Sequence, residues 1–168
     1  MIRLLEKKRL SILVLTVLYG VGVIGLSIKS LQQSIIALTA VNLLITAFLM
    51  IWNYARIDNR LILACLFTYL TGFIVEVIGV QTGVLFGSYA YSGLLGPRIL
   101  GTPLMIGVNW LLMIISVWSI SILFFKKLPL AALMGAALMV LMDLLIEPFA
   151  IFFNLWTWEN NDPPIQNY

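Results

Sequence analysis

LMIGVNWLLMIISVWSISILFF, Leu104–Phe125, is followed after a short Lys-Lys-Leu link by PLAALMGAALMVLMDLLIEPFAIFF, Pro129–Phe153. Neither run alternates apolar and polar residues as a barrel strand does. Each is continuously apolar and close to the ~20 residues a helix needs to cross a hydrocarbon core. In lipid every backbone polar group needs an internal partner, which restricts a span to a helix or a closed barrel. Unbroken hydrophobicity selects the helix. Three further runs of the same kind precede this pair: Leu10–Ile28, Ser34–Trp52 and Leu61–Val80. Pro129 suits the first turn of the last span, where a missing N–H costs nothing. The composition agrees. Of 168 residues, 62% are hydrophobic and 10% are charged, against about 25% charged in a soluble domain. A chain of this length cannot hide that much apolar surface from water by itself. The expected fold is an all-α integral membrane helical bundle of about five transmembrane helices, forming a single transmembrane domain over residues 1–168.

The chain opens with Arg3, Lys7, Lys8 and Arg9. The run that follows is longer than a signal-peptide core and no small-x-small cleavage site succeeds it, so the first helix is read as retained. Basic residues then recur at Arg56 and Arg60 and at Lys126 and Lys127, whereas alternate connections carry only Lys29 and Arg98. Eight against two predicts a cytoplasmic N-terminus in a multi-pass protein of the cytoplasmic (inner) membrane. Because the basic residues lie between apolar runs and form no stripe, they set orientation and exclude nucleic acid as a partner. Cys65 is the single cysteine and sits in an apolar run, so no internal disulfide forms. The sequence holds no histidine, which removes the usual transition-metal and haem ligand and the imidazole base. No metal site is expected.

The connection between the third and fourth spans, Gln81–Pro103, is unlike the others. It holds Gly83, Gly87, Gly93, Gly96 and Gly101 together with apolar residues such as Val84, Leu85 and Leu94. Long connections of this kind are functional or disordered, and this one is too apolar for disorder. A re-entrant or interfacial Gly-rich loop that packs on the helices and lines a cavity is expected.

Intramembrane acids are costly and point to function. There are three, Glu76, Asp143 and Glu147. Glu76 lies roughly 6 Å from the end of the third span; Glu147 and Asp143 lie roughly 9 and 15 Å from the end of the fifth. Asn109 and Trp110 lie at a similar depth on the fourth span, and Arg98 reaches the same side from the Gly-rich loop. The common depth suggests one site. Asp143 and Glu147 are four apart and share a helix face. Two neighbouring carboxyls in low dielectric do not readily both ionise, so one is expected to hold a proton and form an acid/base pair. The bland alternative is that Arg98 or Asn109 pairs with the acids to hold the bundle together. Among the aromatic residues at this level, Trp156 and Trp158 are expected in an interfacial belt. Phe86, Tyr89, Tyr91 and Trp110 are candidates for a cavity wall whose π faces stabilise a cation.

These residues carry a family resemblance. The segment Glu76–Trp110 contains an acid, Thr82-Gly83, Phe86-Gly87-Ser88-Tyr89-Ala90-Tyr91, Leu95-Gly96-Pro97-Arg98, Gly101-Thr102-Pro103 and Asn109-Trp110. MDLLIEPFAIFFNLWTWE supplies a second block, and Pro163-Pro164-Ile165-Gln166-Asn167-Tyr168 a third. Together they resemble the CruF-like carotenoid biosynthesis family of membrane carotenoid 1,2-hydratases. Members of that family continue past the third block with another apolar helix or two, whereas this sequence stops at Tyr168; the expectation is either a fragment lacking C-terminal helices or an unusually short end. The resemblance implies a lipophilic carotenoid substrate held within membrane lipid. It implies hydration of the terminal C1–C2 double bond of an acyclic end group, without a cofactor. Protonation at C2 gives a tertiary cation at C1, which water captures. On that reading Asp143 or Glu147 supplies the proton. Glu76 or the other member of the pair orients water with Asn109. Tyr89, Tyr91 and Trp110 flank the cation, and Arg98 tunes the carboxyl charges. Two rivals remain open. One is a carotenoid-binding membrane subunit without catalysis. The other is a Mg-dependent prenyl-transferring membrane enzyme, with magnesium held at the Asp143-x-x-x-Glu147 spacing.

Overall fold

The computed structural model describes residues 2–159 and 162–168. Six helices dominate it: α1 (Ile2–Ser27), α2 (Lys29–Ala37), α3 (Thr39–Trp52), α4 (Asn59–Thr82), α5 (Leu104–Phe124) and α6 (Leu128–Phe152). Four are long and apolar enough to span a membrane, and α2 with α3 makes a fifth as a pair bent by 53°. The chain is therefore an all-α multi-pass membrane protein. The apolar runs set the helices, but the second span departs from the expected Ser34–Trp52. It starts at Lys29 and breaks at Leu38, whose φ of -87° and ψ of -1° end one helix and start the next. Neither proline nor glycine marks that break.

The chain divides into two compact units, residues 1–65 and 66–168. In the first, α1 folds back on α2 and α3. Ile35 lies where a side chain on Gly25 would sit, 2.6 Å from the ideal Cβ position. Tyr19 Oη is 3.3 Å from Thr46 Oγ1, and Asn53 Nδ2 donates to Ser11 Oγ at 2.6 Å. These bonds satisfy polar groups that lipid would leave unpaired. The Lys7 ammonium lies 5.2 Å from the Trp52 ring centre, within cation–π range. The side chain of Arg3 lies outside the described residues.

In the second unit α5 and α6 form an antiparallel hairpin about a three-residue step, Phe125–Lys127. Gly135 meets Ser121 and Val117 across it, and Ser121 returns its hydroxyl to the Val117 carbonyl at 2.7 Å. The last part of α4 packs on the start of α5. Tyr69 Oη donates to the Leu104 carbonyl at 3.0 Å. The Gly-rich connection takes part in two short antiparallel pairs. Arg98–Ile99 (β2) returns through a tight turn to Thr102–Pro103 (β3). Tyr89–Tyr91 (β1) pairs with Trp156–Trp158 (β4), which follows α6. The connection thus lies across the ends of α4, α5 and α6 as a ribbon.

Candidate active site

The β1–β4 register sets the chemistry of the ribbon. Tyr89 stands opposite Trp158, Ala90 opposite Thr157 and Tyr91 opposite Trp156. Side chains on a strand alternate faces, so Tyr89, Tyr91, Trp156 and Trp158 share one face and Ala90 and Thr157 take the other. The four rings pack on one another, with centroids 4.9 Å apart for Tyr89–Trp158, 5.5 Å for Tyr89–Tyr91 and 5.9 Å for Tyr91–Trp156. Cross-strand aromatic pairs of this kind hold short ribbons together.

The polar tips of these rings converge on two glutamates. Tyr89 and Tyr91 donate their hydroxyls to Glu76 Oε2 at 2.6 and 3.0 Å. Trp110, from α5, donates its indole N–H to Glu76 Oε1 at 3.0 Å. Trp156 donates to Glu147 Oε1 at 2.8 Å, and Trp158 donates to the same oxygen. Glu147 is 3% exposed. A buried acid in lipid needs such donors. Burial, and then the charge of Glu76, pushes the phenols of Tyr89 and Tyr91 up, so both keep their protons and act as donors.

Room for this arrangement comes from two glycines on the Glu76 face of α4. A Cβ on Gly72 would stand 2.4 Å from Trp110 Cγ, and one on Gly79 would stand 2.6 Å from Phe86 Cδ2 and 3.2 Å from Tyr89 Oη. Residues at i−4 and i+3 lie beside Glu76 on the helix. A larger residue at either would push away a ring that hydrogen-bonds to the acid or packs beside it.

Asp143 is bound differently. Its Oδ2 accepts Asn167 Nδ2 at 2.8 Å, and among the described residues Oδ1 accepts no hydrogen bond. All three acids line one cavity of about 190 Å³, with Phe86, Tyr89, Tyr91, Asn109, Trp110, Trp156, Trp158 and Asn167. Ile106, Met113, Met139 and Val140 form its apolar part. Asn109 lines the cavity with no side-chain hydrogen bond among the described residues. Arginine and lysine are absent from the lining among the described residues.

Eight of the nine candidate residues thus surround one space, and Arg98 does not. It is exposed, and its Nη1 donates to the Tyr91 backbone carbonyl at 2.8 Å. Among the described residues it pairs with no acid. The expectation that Arg98 tunes the carboxyl charges is corrected on this geometry: its guanidinium is held on the Tyr91 carbonyl of β1, and Arg98 does not line the cavity. Trp156 and Trp158 are corrected in the opposite sense. They were expected in an interfacial belt, and they point inward as donors to Glu147. The signal was present in Tyr-x-Tyr and Trp-x-Trp, two period-two patterns able to pair across a ribbon. Asn167 was carried only by the resemblance. Gly72 and Gly79 carried no mark beyond their spacing from Glu76.

Comparison with known proteins agrees with this picture. Bisanhydrobacterioruberin hydratase of Haloarcula japonica is 27% identical over 123 residues, covering 68% of this chain and 42% of the relative. The chain therefore spans less than half the length of that curated relative. No solved structure matches the chain significantly. The profile of the carotenoid biosynthesis protein family matches residues 37–168, which include the whole cavity. The chain is a member of the carotenoid biosynthesis protein family, of the CruF-like type.

Proposed function

We propose that the chain is a carotenoid hydratase that adds water across the terminal C1–C2 double bond of an acyclic end group. One observation carries the reading: three carboxyls from two helices meet in a single aromatic-walled cavity. The hydratase named among its relatives supports it. The cavity volume also suits it. A space of roughly 150 Å³ holds a benzene-sized molecule, so about 190 Å³ admits one end group while the polyene stays in the bilayer.

The residues divide the work by their hydrogen bonds. Glu147 anchors two indoles and Glu76 gathers three donors, so both act as acceptors. Asp143 has one oxygen unengaged and is assigned as the acid. Its Oδ1 proton passes to C2 as the C1–C2 π pair forms the new C–H bond, leaving a tertiary cation at C1. The faces of Tyr89, Tyr91 and Trp110 stabilise that cation. Water held by Asn109 attacks C1 and gives its extra proton to Glu76. Return of a proton to Asp143 closes the cycle, with one water consumed and no electron transferred.

Turnover of an acyclic carotenoid in proteoliposomes tests this assignment. Removal of a general acid costs about 10²–10⁴-fold, and Asp143→Asn is expected in that range with normal membrane levels. Full turnover by Asp143→Asn, Glu76→Gln and Glu147→Gln alike would sink the acid-site reading.

A further inference from the structure

Residues 162–168 lie at the cavity and place Asn167 on the proposed acid. Pro164 packs against Gly87, where a Cβ would stand 2.4 Å from its Cγ; the φ of +100° at Gly87 itself favours glycine. Gln166 Nε2 donates to the Gly83 carbonyl at 3.2 Å. Ile165–Asn167 then forms a single 3-10 turn, closed by Asn167 N donating to the Pro164 carbonyl at 2.9 Å. That turn delivers Asn167 Nδ2 to Asp143 Oδ2 at 2.8 Å, across 24 residues of sequence. Asn167 itself lines the cavity.

We infer that Asn167 is a positioning residue for Asp143: its amide occupies Oδ2 and confines the transferable proton to Oδ1, the oxygen left without a hydrogen-bond partner among the described residues. An NH₂ group donates and cannot accept, so a proton on Oδ2 would point at another donor. The bond also fixes the carboxyl rotation, which matters because a misplacement of about 1 Å costs on the order of 100-fold. The same segment is tied to Gly83 and Gly87, on either side of Phe86. The aromatic wall and the acid therefore share one fastening. Asn167 touches no reacting atom and acts through Asp143. This inference rests on the hydratase reading.

The test compares Asn167→Ala, Asn167→Asp and Asn167→Gln with Ile165→Ala, a change on the same turn at a side chain that is 92% exposed. In proteoliposomes Asn167→Ala and the isosteric Asn167→Asp are expected to lower kcat about 10- to 100-fold, with KM changed by less than about 2-fold. The pH profile of kcat moves with them. Asn167→Gln, which keeps an amide donor, recovers part of the loss, and Ile165→Ala stays at the wild-type rate. Wild-type kcat in Asn167→Asp, or a rise in KM alone, overturns the inference. Should the wild type add no water, the hydratase reading fails separately and infrared spectroscopy of the Asp143 carboxyl decides. Bands identified by their loss in Asp143→Asn are expected to shift in Asn167→Ala and to hold still in Ile165→Ala. Bands unmoved by Asn167→Ala overturn it.

Discussion

Glu76→Gln keeps the size and shape of the side chain and removes the charge that three donors share. Tyr89, Tyr91 and Trp110 meet Glu76 at 2.6, 3.0 and 3.0 Å. A hydrogen bond to a charged group contributes about 1.5–3 kcal/mol and a neutral one about 0.5–1.5. The change would then cost roughly 1 kcal/mol per bond, or about 3 kcal/mol in all. Within membranes the unfolded reference finds partners too, and interhelical polar contacts average about 0.6 kcal/mol. Three such contacts give about 2 kcal/mol, so the expected loss lies between about 2 and 3 kcal/mol. Reversible unfolding in mixed micelles measures it. Tyr89→Phe and Tyr91→Phe in the Glu76→Gln background should cost less than in the wild type, because each phenol stabilises the same oxygen. A stability loss in Glu76→Gln below about 0.5 kcal/mol, with additive phenylalanine changes, would refute the three-donor account.

Gly72→Ala places a methyl 2.4 Å from Trp110 Cγ; overpacking of this kind costs about 1–3 kcal/mol, and indole fluorescence should report a displaced Trp110. An unchanged spectrum and stability would contradict the packing. The phenols of Tyr89 and Tyr91 lie above the ordinary value through burial and the Glu76 charge. Their contribution is complete below pH about 10 and is lost as pH rises further, because the unfolded chain releases protons the folded one keeps. The tyrosinate absorbance step near pH 10 should keep its amplitude in a Tyr89→Phe/Tyr91→Phe variant; a smaller step would show that these phenols titrate normally. Arg98→Ala should keep turnover within about 2-fold, since the guanidinium holds a backbone carbonyl; a large loss with intact folding would return Arg98 to the site. Tags at the N-terminus should be protected from outside protease in intact cells, as the eight-to-two distribution of basic residues requires; cleavage would reverse the proposed orientation.

Much of this was legible in the residues. Strongly apolar runs of helical length leave lipid-facing helices as the one open arrangement that satisfies the backbone, and all but the second span form single helices over them. The acids were visible because an ionisable group in such a run is conspicuous. The break at Leu38 was not, since no residue there breaks a helix by itself. The ribbon was hidden for a different reason. Tyr89–Tyr91 and Trp156–Trp158 are each three residues long and far apart in sequence, too short for a period-two pattern to stand out from an aromatic belt. Only their pairing turns four scattered rings into one donor face. Arg98 misled because charge suggests a partner of opposite sign, whereas its guanidinium donates to the Tyr91 backbone carbonyl in β1.

The central claim is that water, activated among these carboxyls, ends on the carotenoid. The most direct measurement is pigment mass spectrometry on cells that make an acyclic carotenoid, express this chain and grow in heavy-oxygen water. The account predicts a pigment heavier by one water per modified end, its hydroxyl oxygen drawn from water, and none of it with Asp143→Asn. Unchanged pigment, or a hydroxyl whose oxygen comes from dioxygen, would contradict it.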